Sequence, residues 1–393
     1  MKFKILNLLF IVCIVQITNA QFTFNNGENS MTISSRFSMY AQRRLILDSG
    51  QVSRKKDLMN INRLQLVLKG NRGKHIKYDA TFDIAALIIK ANDPQNPAIL
   101  DANATYTGFK AFDVIAGWGK VPYSRQNQVS FFESAFWHRP EITGGILFSR
   151  RDAGVTLHKN LFHKLINLYG GVYTGLGEAT LTNGNDPSGG VEYISRADFS
   201  YPTRYKYTEI DIYHSVVPMF SLGVNGRYAK KILPDGTNFA ALSNGEFGNK
   251  VINGEKYTYG ADFSFQYQGF SFQAEIHQLK NVMQDSLDAN LQPIQGRILP
   301  VSFTNKTFYS GGAFVQANYH SKKLKSAFCV RYEQMNLNNF VEGEQRRLSF
   351  AYAYMLKGTK SMVKVSFYTI DSKEVIDPFG FRQEIRLGWQ VIL

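Results

Sequence analysis

Cysteine is nearly absent from this chain. Of 393 residues only two are cysteine, Cys13 and Cys329, and Cys13 lies in an N-terminal leader. A mature chain with one cysteine forms no intrachain disulfide, which excludes a small stapled secreted domain. Proline is sparse, with 11 in all, and no Pro/Ser-rich linker or composition break divides the chain into the soluble domains its length suggests. Beyond residue 20 no apolar run is long enough for a membrane helix, which needs about 20 residues. Helical periodicity is hard to find anywhere. Catalytic signatures are missing too: there is no His-Glu-x-x-His, no Gly-x-Ser-x-Gly and no Gly-Lys-Ser/Thr phosphate loop. The sequence GLGEAT at 175–180 reads as a strand end, not a glycine fingerprint. Neither enzymatic activity nor a cofactor is expected. His158, His277 and His320 fall on separate strands without the converging geometry of a metal site. The net charge of +14 is spread over many segments and forms no single patch, so no nucleic-acid partner is expected.

What is present begins with the leader. Lys2 and Lys4 precede the apolar run ILNLLFIVCIVQI, and Thr18, Asn19 and Ala20 follow it. A charged n-region, an h-region and small residues make residues 1–20 a signal peptide, cleaved after Ala20. Val12 before Cys13 argues against a lipoprotein site. Residues 21–393 are then expected to form one domain.

The dominant pattern after residue 20 has period two. RLQLVLKG alternates Leu64, Leu66 and Leu68 with Arg63, Gln65 and Lys69, and KYDATFDIA, YGADFSFQYQ, FSFQAEIHQ, LSFAYAYML and KVSFYTI do the same. Such alternation gives strands with one apolar and one polar face. Sixteen strands are predicted, near 31–46, 61–70, 74–88, 100–108, 111–120, 150–159, 163–175, 192–201, 218–231, 256–268, 270–281, 307–320, 324–335, 346–356, 360–371 and 381–393. Their connections alternate between long (47–60, 89–99, 121–149, 176–191, 232–255, 282–306, 336–345, 372–380) and tight (GNRG, GFK, NLFH, QGF, SKKL, KGTK). One connection, 202–217, is longer than this scheme allows.

A soluble sandwich has no reason to keep every second connection short, whereas a transmembrane barrel does. The chain also ends on an amphipathic strand, FRQEIRLGWQVIL, with apolar Phe381, Ile385, Leu387, Trp389, Val391 and Leu393 on one parity. An open sheet edge in hydrocarbon leaves backbone groups unpaired at several kcal/mol each, so this last strand is expected to close on the first. Phe381 and Trp389 would then sit in the two aromatic girdles. The expected fold is all-β: a 16-stranded antiparallel transmembrane β-barrel with short periplasmic turns, long extracellular loops and an inward-folded third loop, in the bacterial outer membrane.

Sixteen strands enclose an aqueous lumen. Parity places ten bases on its wall: Arg36, Arg63, Lys69, Lys77, Arg196, Arg227, Arg331, Lys364, Arg382 and Arg386. Eight acids share it: Asp79, Asp83, Asp101, Asp198, Asp262, Glu275, Glu333 and Glu384. The bland reading is a solvated wall of mutually paired charges, and the sharper one is a cationic ladder for anions. Loop 121–149 carries an aromatic cluster (Phe131, Phe132, Phe136, Trp137) that would pack it against the wall, with Gly117 and Gly119 giving clearance. That would bring Lys120, Arg125, Arg139 and Arg150 to a pore constriction.

The stretch DANATYTGFKAFDVIAGWGKVPYSRQN resembles the signature region of the phosphate-selective porin O and P family, at Gly108, Phe109, Gly117, Lys120, Pro122, Tyr123 and Ser124. FFES and SRRDAGVTLHKN resemble further segments of it, at Phe132, Glu133, Arg151, Asp152, Gly154 and Val155. The resemblance implies an outer-membrane porin, usually a homotrimer, that contacts outer-membrane lipid and lipopolysaccharide and passes small anionic solutes. Eight wall acids depart from a dense arginine lining, so the expectation is a passive channel with weak to moderate anion preference, phosphate included. The alternative is a barrel that binds a ligand through its external loops, as a receptor or adhesin.

Overall fold

In the computed structural model the described residues are 21–48, 51–89, 98–145, 147–177, 189–232, 254–283, 307–336, 344–372 and 383–393. They form one antiparallel sheet that closes on itself. A short strand β1 (Phe22–Asn26) precedes the sixteen barrel strands. These are β2 (Asn29–Asp48), β3 (Gln51–Arg72), β4 (Ile76–Asp83), β5 (Ile99–Tyr106), β6 (Asp113–Lys120), β7 (Arg151–Leu161), β8 (Ile166–Tyr173) and β9 (Glu192–Tyr201), then β10 (Met219–Lys231), β11 (Gly254–Tyr267), β12 (Phe270–Met283), β13 (Thr307–Ser321), β14 (Ser326–Asn336), β15 (Glu344–Met355), β16 (Ser361–Ser372) and β17 (Gln383–Ile392).

Closure occurs where the chain ends. β17 pairs with β2 from Gln383↔Leu45 to Ile392↔Arg36, and Leu393 exchanges backbone hydrogen bonds with Ser35. β1 continues the same edge below, pairing Phe22 to Asn26 with Ile33 to Asn29. Together they leave little of the β2 edge unpaired, as hydrocarbon requires.

Burial is inside out relative to a soluble sheet. Along β15, Phe350 is 47 % exposed and Leu348 36 %, while Arg347 is 4 % and Ser349 0 % exposed. The apolar parity therefore faces outward and the polar parity inward. Register builds an aromatic band at the short-turn end: Tyr267↔Phe270, Phe270↔Tyr319, Tyr319↔Phe328 and Phe328↔Tyr352. A second band forms at the long-loop end around Tyr193, Tyr228 and Tyr257. Trp389 packs beside Phe37, 5.9 Å between centroids. Phe381 lies outside the described residues.

Three sequence expectations need correction. The connection expected at 47–60 is strand: β2 and β3 continue as a hairpin to Asp48↔Gln51. Strand 74–88 ends at Asp83, and Ile84–Ile89 is a helix, α1, against β3. β1 was not expected. The connection 202–217, longer than the scheme of short turns allows, has Tyr205, Glu209, Ile210 and Asp211 buried.

Candidate functional site

The segment after β6 enters the lumen. Its first turn is a short helix, α2 (Arg125–Gln128), capped by the Ser124 hydroxyl, which accepts from the Asn127 N–H. Ser124 also donates to Glu275 on β12 at 2.6 Å, and the Tyr123 hydroxyl lies 3.1 Å from His277 Nδ1. The chain then crosses to the opposite wall. There the Trp137 and His138 amides both donate to the Tyr368 hydroxyl, at 3.0 and 2.9 Å. Trp137 Nε1 donates to Lys364 O at 3.3 Å. On the return path Ile142, Leu147 and Phe148 join Tyr123, Tyr173, Ile194, Phe314 and Met335 in one buried cluster.

Of the four aromatic residues expected to anchor the loop, Phe132, Phe136 and Trp137 are buried, while Phe131 is half-buried and lines the open cavity described below. The clearance glycines are elsewhere. A Cβ on Gly117, whose φ is +128°, would meet β5 at Ala102 O (2.4 Å), not the loop. Two glycines on the far wall do face the loop, besides the adjoining strand: a Cβ on Gly388 would lie 2.1 Å from Met39 O and 2.7 Å from the Trp137 ring, and one on Gly312 2.5 Å from Gln334 O and 2.7 Å from Ile142 Cγ2.

The loop divides the wall charges into two populations. On the filled side they are buried and paired. Arg196 makes a two-pronged contact with Asp262 at 2.6 and 3.1 Å. Arg227 pairs with Glu192 and donates to Ser149 O at 2.8 Å. Arg331 pairs with Glu333 at 3.0 Å and donates to His138 O at 2.8 Å. Arg386 pairs with Glu384 and lies 4.3 Å above the Tyr40 ring. Lys364 donates to Ser134 O at 3.1 Å and sits 4.2 Å from the Trp137 ring. Arg227, Arg331 and Lys364 hold the loop directly; buried ion pairs such as Arg196–Asp262 cost about 3–5 kcal/mol when one partner is removed.

On the other side, against β2–β7, a cavity of about 370 Å³ remains open. Arg36, Arg63 and Lys69 line it from the wall, and Lys120, Arg139, Arg150 and Arg151 from the loop and its ends; the acids are Asp79 and Asp101. Seven bases against two acids leave an excess of five positive charges. The two acids are each held by a base, Asp79 by Lys69 at 2.5 Å and Asp101 by Arg151 at 3.2 Å, and one more charge of the excess is compensated from outside the cavity, where Asp83 pairs with Arg63 at 2.8 Å. Among the described residues Lys120 donates to loop carbonyls, Gln128 O at 2.9 Å and Val129 O at 3.1 Å. Arg139 donates to Gln126 O and to Val129 O, the latter at 2.7 Å. Burial and the nearby Arg150 guanidinium lower the Arg139 pKa to about 9, still high enough for it to be charged at neutral pH. Arg36 lies 5.8 Å from the Phe132 ring and forms no ion pair among the described residues.

Of the four cations expected at the constriction, Lys120, Arg139 and Arg150 come together on this cavity. Arg125 does not: it is fully buried, stacked 4.3 Å from Tyr205, and donates to Lys206 O at 2.9 Å. Of the ten wall bases, Arg36, Arg63 and Lys69 face the cavity. Lys77, on β4 with Asp79, is exposed nearer the short-turn mouth, the five buried ones are those above, and Arg382 lies outside the described residues. Arg151 lines the cavity without having been expected there; it ends the loop opposite Lys120 in the β6–β7 register.

Residues 35–374 match the family described as phosphate-selective porin O and P. Solved structures share the fold at low identity. An anion-selective porin from Comamonas acidovorans superposes with a TM-score of 0.62 at 8 % identity, over 93 % of this chain and 100 % of its own. OmpT of Vibrio cholerae gives 0.58 at 8 % identity over 95 % and 100 %, and has also been described in a trimer form. The outer-membrane channel DcaP of Acinetobacter baumannii gives 0.54 at 11 % identity over 94 % and 99 %. No curated protein sequence matches. With a closed sixteen-stranded barrel, a wet cation-lined lumen and a family match over most of its length, the chain belongs to the phosphate-selective porin O and P family and is an outer-membrane porin.

Proposed function

We propose that this porin is a passive channel for small hydrophilic solutes with a preference for anions, inorganic phosphate among them. The carrying observation is the charge of the open cavity: seven bases against two acids, with Lys120 and Arg139 bonded to carbonyls instead of carboxylates. Rings of Lys and Arg in a narrow, low-dielectric passage raise the local concentration of anions and exclude cations. The relative described as an anion-selective porin supports the same reading. Two acids in the lane, with Asp79 and Asp101 each bound to a base, temper the field, so general anion preference is favoured over a site dedicated to phosphate. Residues 1–20 are read as a signal peptide removed on export. A homotrimer bounded by lipid and lipopolysaccharide is the proposed assembly. Ion permeability measured in planar bilayers with chloride, phosphate and sulfate tests the reading. Anion over cation permeability in every salt is expected; cation preference would overturn it.

A further inference from the structure

The connection between β9 and β10 is too long for the short-turn end and is built into the lumen. Its backbone is tied to wall side chains on one strand after another. Thr208 O accepts from Gln273 at 2.7 Å on β12. Glu209 O accepts from Ser271 at 2.7 Å and from Asn318 at 2.9 Å, on β12 and β13. The Tyr205 hydroxyl accepts from Ser264 on β11 at 2.9 Å, and Tyr207 donates to Asp198 on β9 at 2.6 Å. The Asp211 carboxylate caps the exit, accepting from the Ser215 and Gly269 amides at 2.8 and 2.9 Å.

Two features show that the barrel wall is made for this segment. First, the lumen parity of β14–β16 carries an apolar patch beside its charges: Ala327, Cys329, Ala351, Ala353, Met355 and Met362 are buried together with Ile210 and with Ala135 and Phe136 of the inward loop. A water-filled channel gains nothing from such a surface; covering it is favourable by about 25 cal/mol per Å². Second, the segment is keyed to the loop. Arg125 is stacked 4.3 Å from Tyr205 and 5.3 Å from Tyr207 and donates to Lys206 O, while the Gln126 amide donates to the Glu209 carboxylate. No residue of 202–217 lines the cation-rich cavity.

We propose that residues 202–217 are a second internal plug, inserted from the short-turn end. It interlocks with the inward loop through Arg125 and Gln126 and seals the β9–β16 side of the lumen. All permeation is thereby confined to the lane beside β2–β7. The proposal rests on the channel reading above and adds the element that makes the lane exclusive. Without the plug a second path would open along a wall whose cations are held by carboxylates, as Arg196 is by Asp262 and Arg331 by Glu333, and which therefore carries less net cationic field than the lane.

The mature chain holds a built-in reporter, because Cys329 is buried in the same apolar cluster as Ile210 and is the single cysteine outside the leader. Tyr201 pairs directly with Phe220, so Asn-Gly in place of 202–219 closes a two-residue hairpin in register. Reaction of Cys329 with a small water-soluble methanethiosulfonate is followed beside single-channel conductance and reversal potential. In the plugless chain the labelling rate should rise about tenfold or more, conductance should rise about twofold, and anion preference should fall. The double variant Ile210→Gly, Glu209→Ala keeps the connection length and should move all three readouts in the same direction. Folding of each variant is checked by heat-modifiable gel mobility. Unchanged labelling in both folded variants would overturn the plug, and faster labelling with unchanged conductance would overturn its sealing role. A wild-type chain that conducts without anion preference would instead sink the lane, leaving the labelling result to judge the plug by itself.

Discussion

Replacing Lys120 and Arg139 together by glutamine isolates the lane's field. The excess of five positive charges falls by two. A permeating ion roughly 6 Å from each cation in water-filled space feels about 0.7 kcal/mol per charge, so the pair contributes roughly 1.4 kcal/mol. That is about tenfold in local anion concentration, and cation exclusion relaxes by a similar factor. The anion-to-cation permeability ratio should therefore fall by between about ten- and a hundredfold in dilute salt, and by much less at 1 M, where the Debye length is about 3 Å. Zero-current potentials across planar bilayers under a potassium chloride gradient read this ratio. Glutamine still donates to the carbonyls that Lys120 and Arg139 now hold, so the loop keeps its seat. Arg36→Gln should shift the potential in the same direction, without breaking an ion pair among the described residues. Arg125→Gln removes the same charge from a site walled off by Tyr205 and Tyr207, and should shift the ratio far less. The reasoning is refuted if the double variant leaves the potential unchanged, or if Arg125→Gln matches it.

Glu333 accepts from both Arg331 and Arg347 and from the Glu141 amide, so Glu333→Ala leaves buried guanidinium charge unpaired. It should cost about 3–5 kcal/mol, read as a lower midpoint of heat-modifiable mobility; an unchanged midpoint would show that the network is not structural. Burial pushes the Glu141 carboxyl up to about 7 from its ordinary 4.5. The folded state therefore holds a proton that the unfolded chain releases, so this stabilisation is full below pH 4.5 and is lost as pH rises through about 7. The wild type should lose roughly 2 kcal/mol between pH 5 and 8 from this group, and Glu141→Gln should flatten that dependence in denaturant titrations. Tyr368→Phe removes the hydroxyl that accepts from the Trp137 and His138 amides and should loosen the Trp137 ring, detected as a red-shifted, more quenchable tryptophan emission; emission identical to wild type would contradict the seating of the loop.

Much of the barrel was legible because lipid imposes period two on every strand that crosses it. The alternation of Phe350, Tyr352 and Tyr354 with Ser349, Ala351 and Ala353 could mean little else. The signal fades where lipid ends. β2 and β3 continue to Asp48 and Gln51, where the sequence no longer alternates. IAALII at 84–89 is a short apolar run, which fits a strand or a buried helix equally by pattern. Lumen parity was also readable, and it correctly placed Arg36, Arg63 and Lys69 beside the open cavity. Which half of the lumen is filled was not readable, because it depends on contacts hundreds of residues apart, such as Trp137 with Tyr368. The same holds for Arg125: its sequence neighbours match those of the lane cations, and only the Tyr205–Tyr207 pair, brought in from the far end of the barrel, takes it out of the channel. The length of 202–217 was the one visible sign of that segment.

The central claim is that a sealed barrel leaves one cation-lined passage. The sign of the zero-current potential of the wild-type channel under a tenfold potassium chloride gradient tests it most directly. The potential should take the sign set by chloride flux and shrink as total salt rises. A potential of the opposite sign, or a barrel that inserts without conducting, would contradict the account.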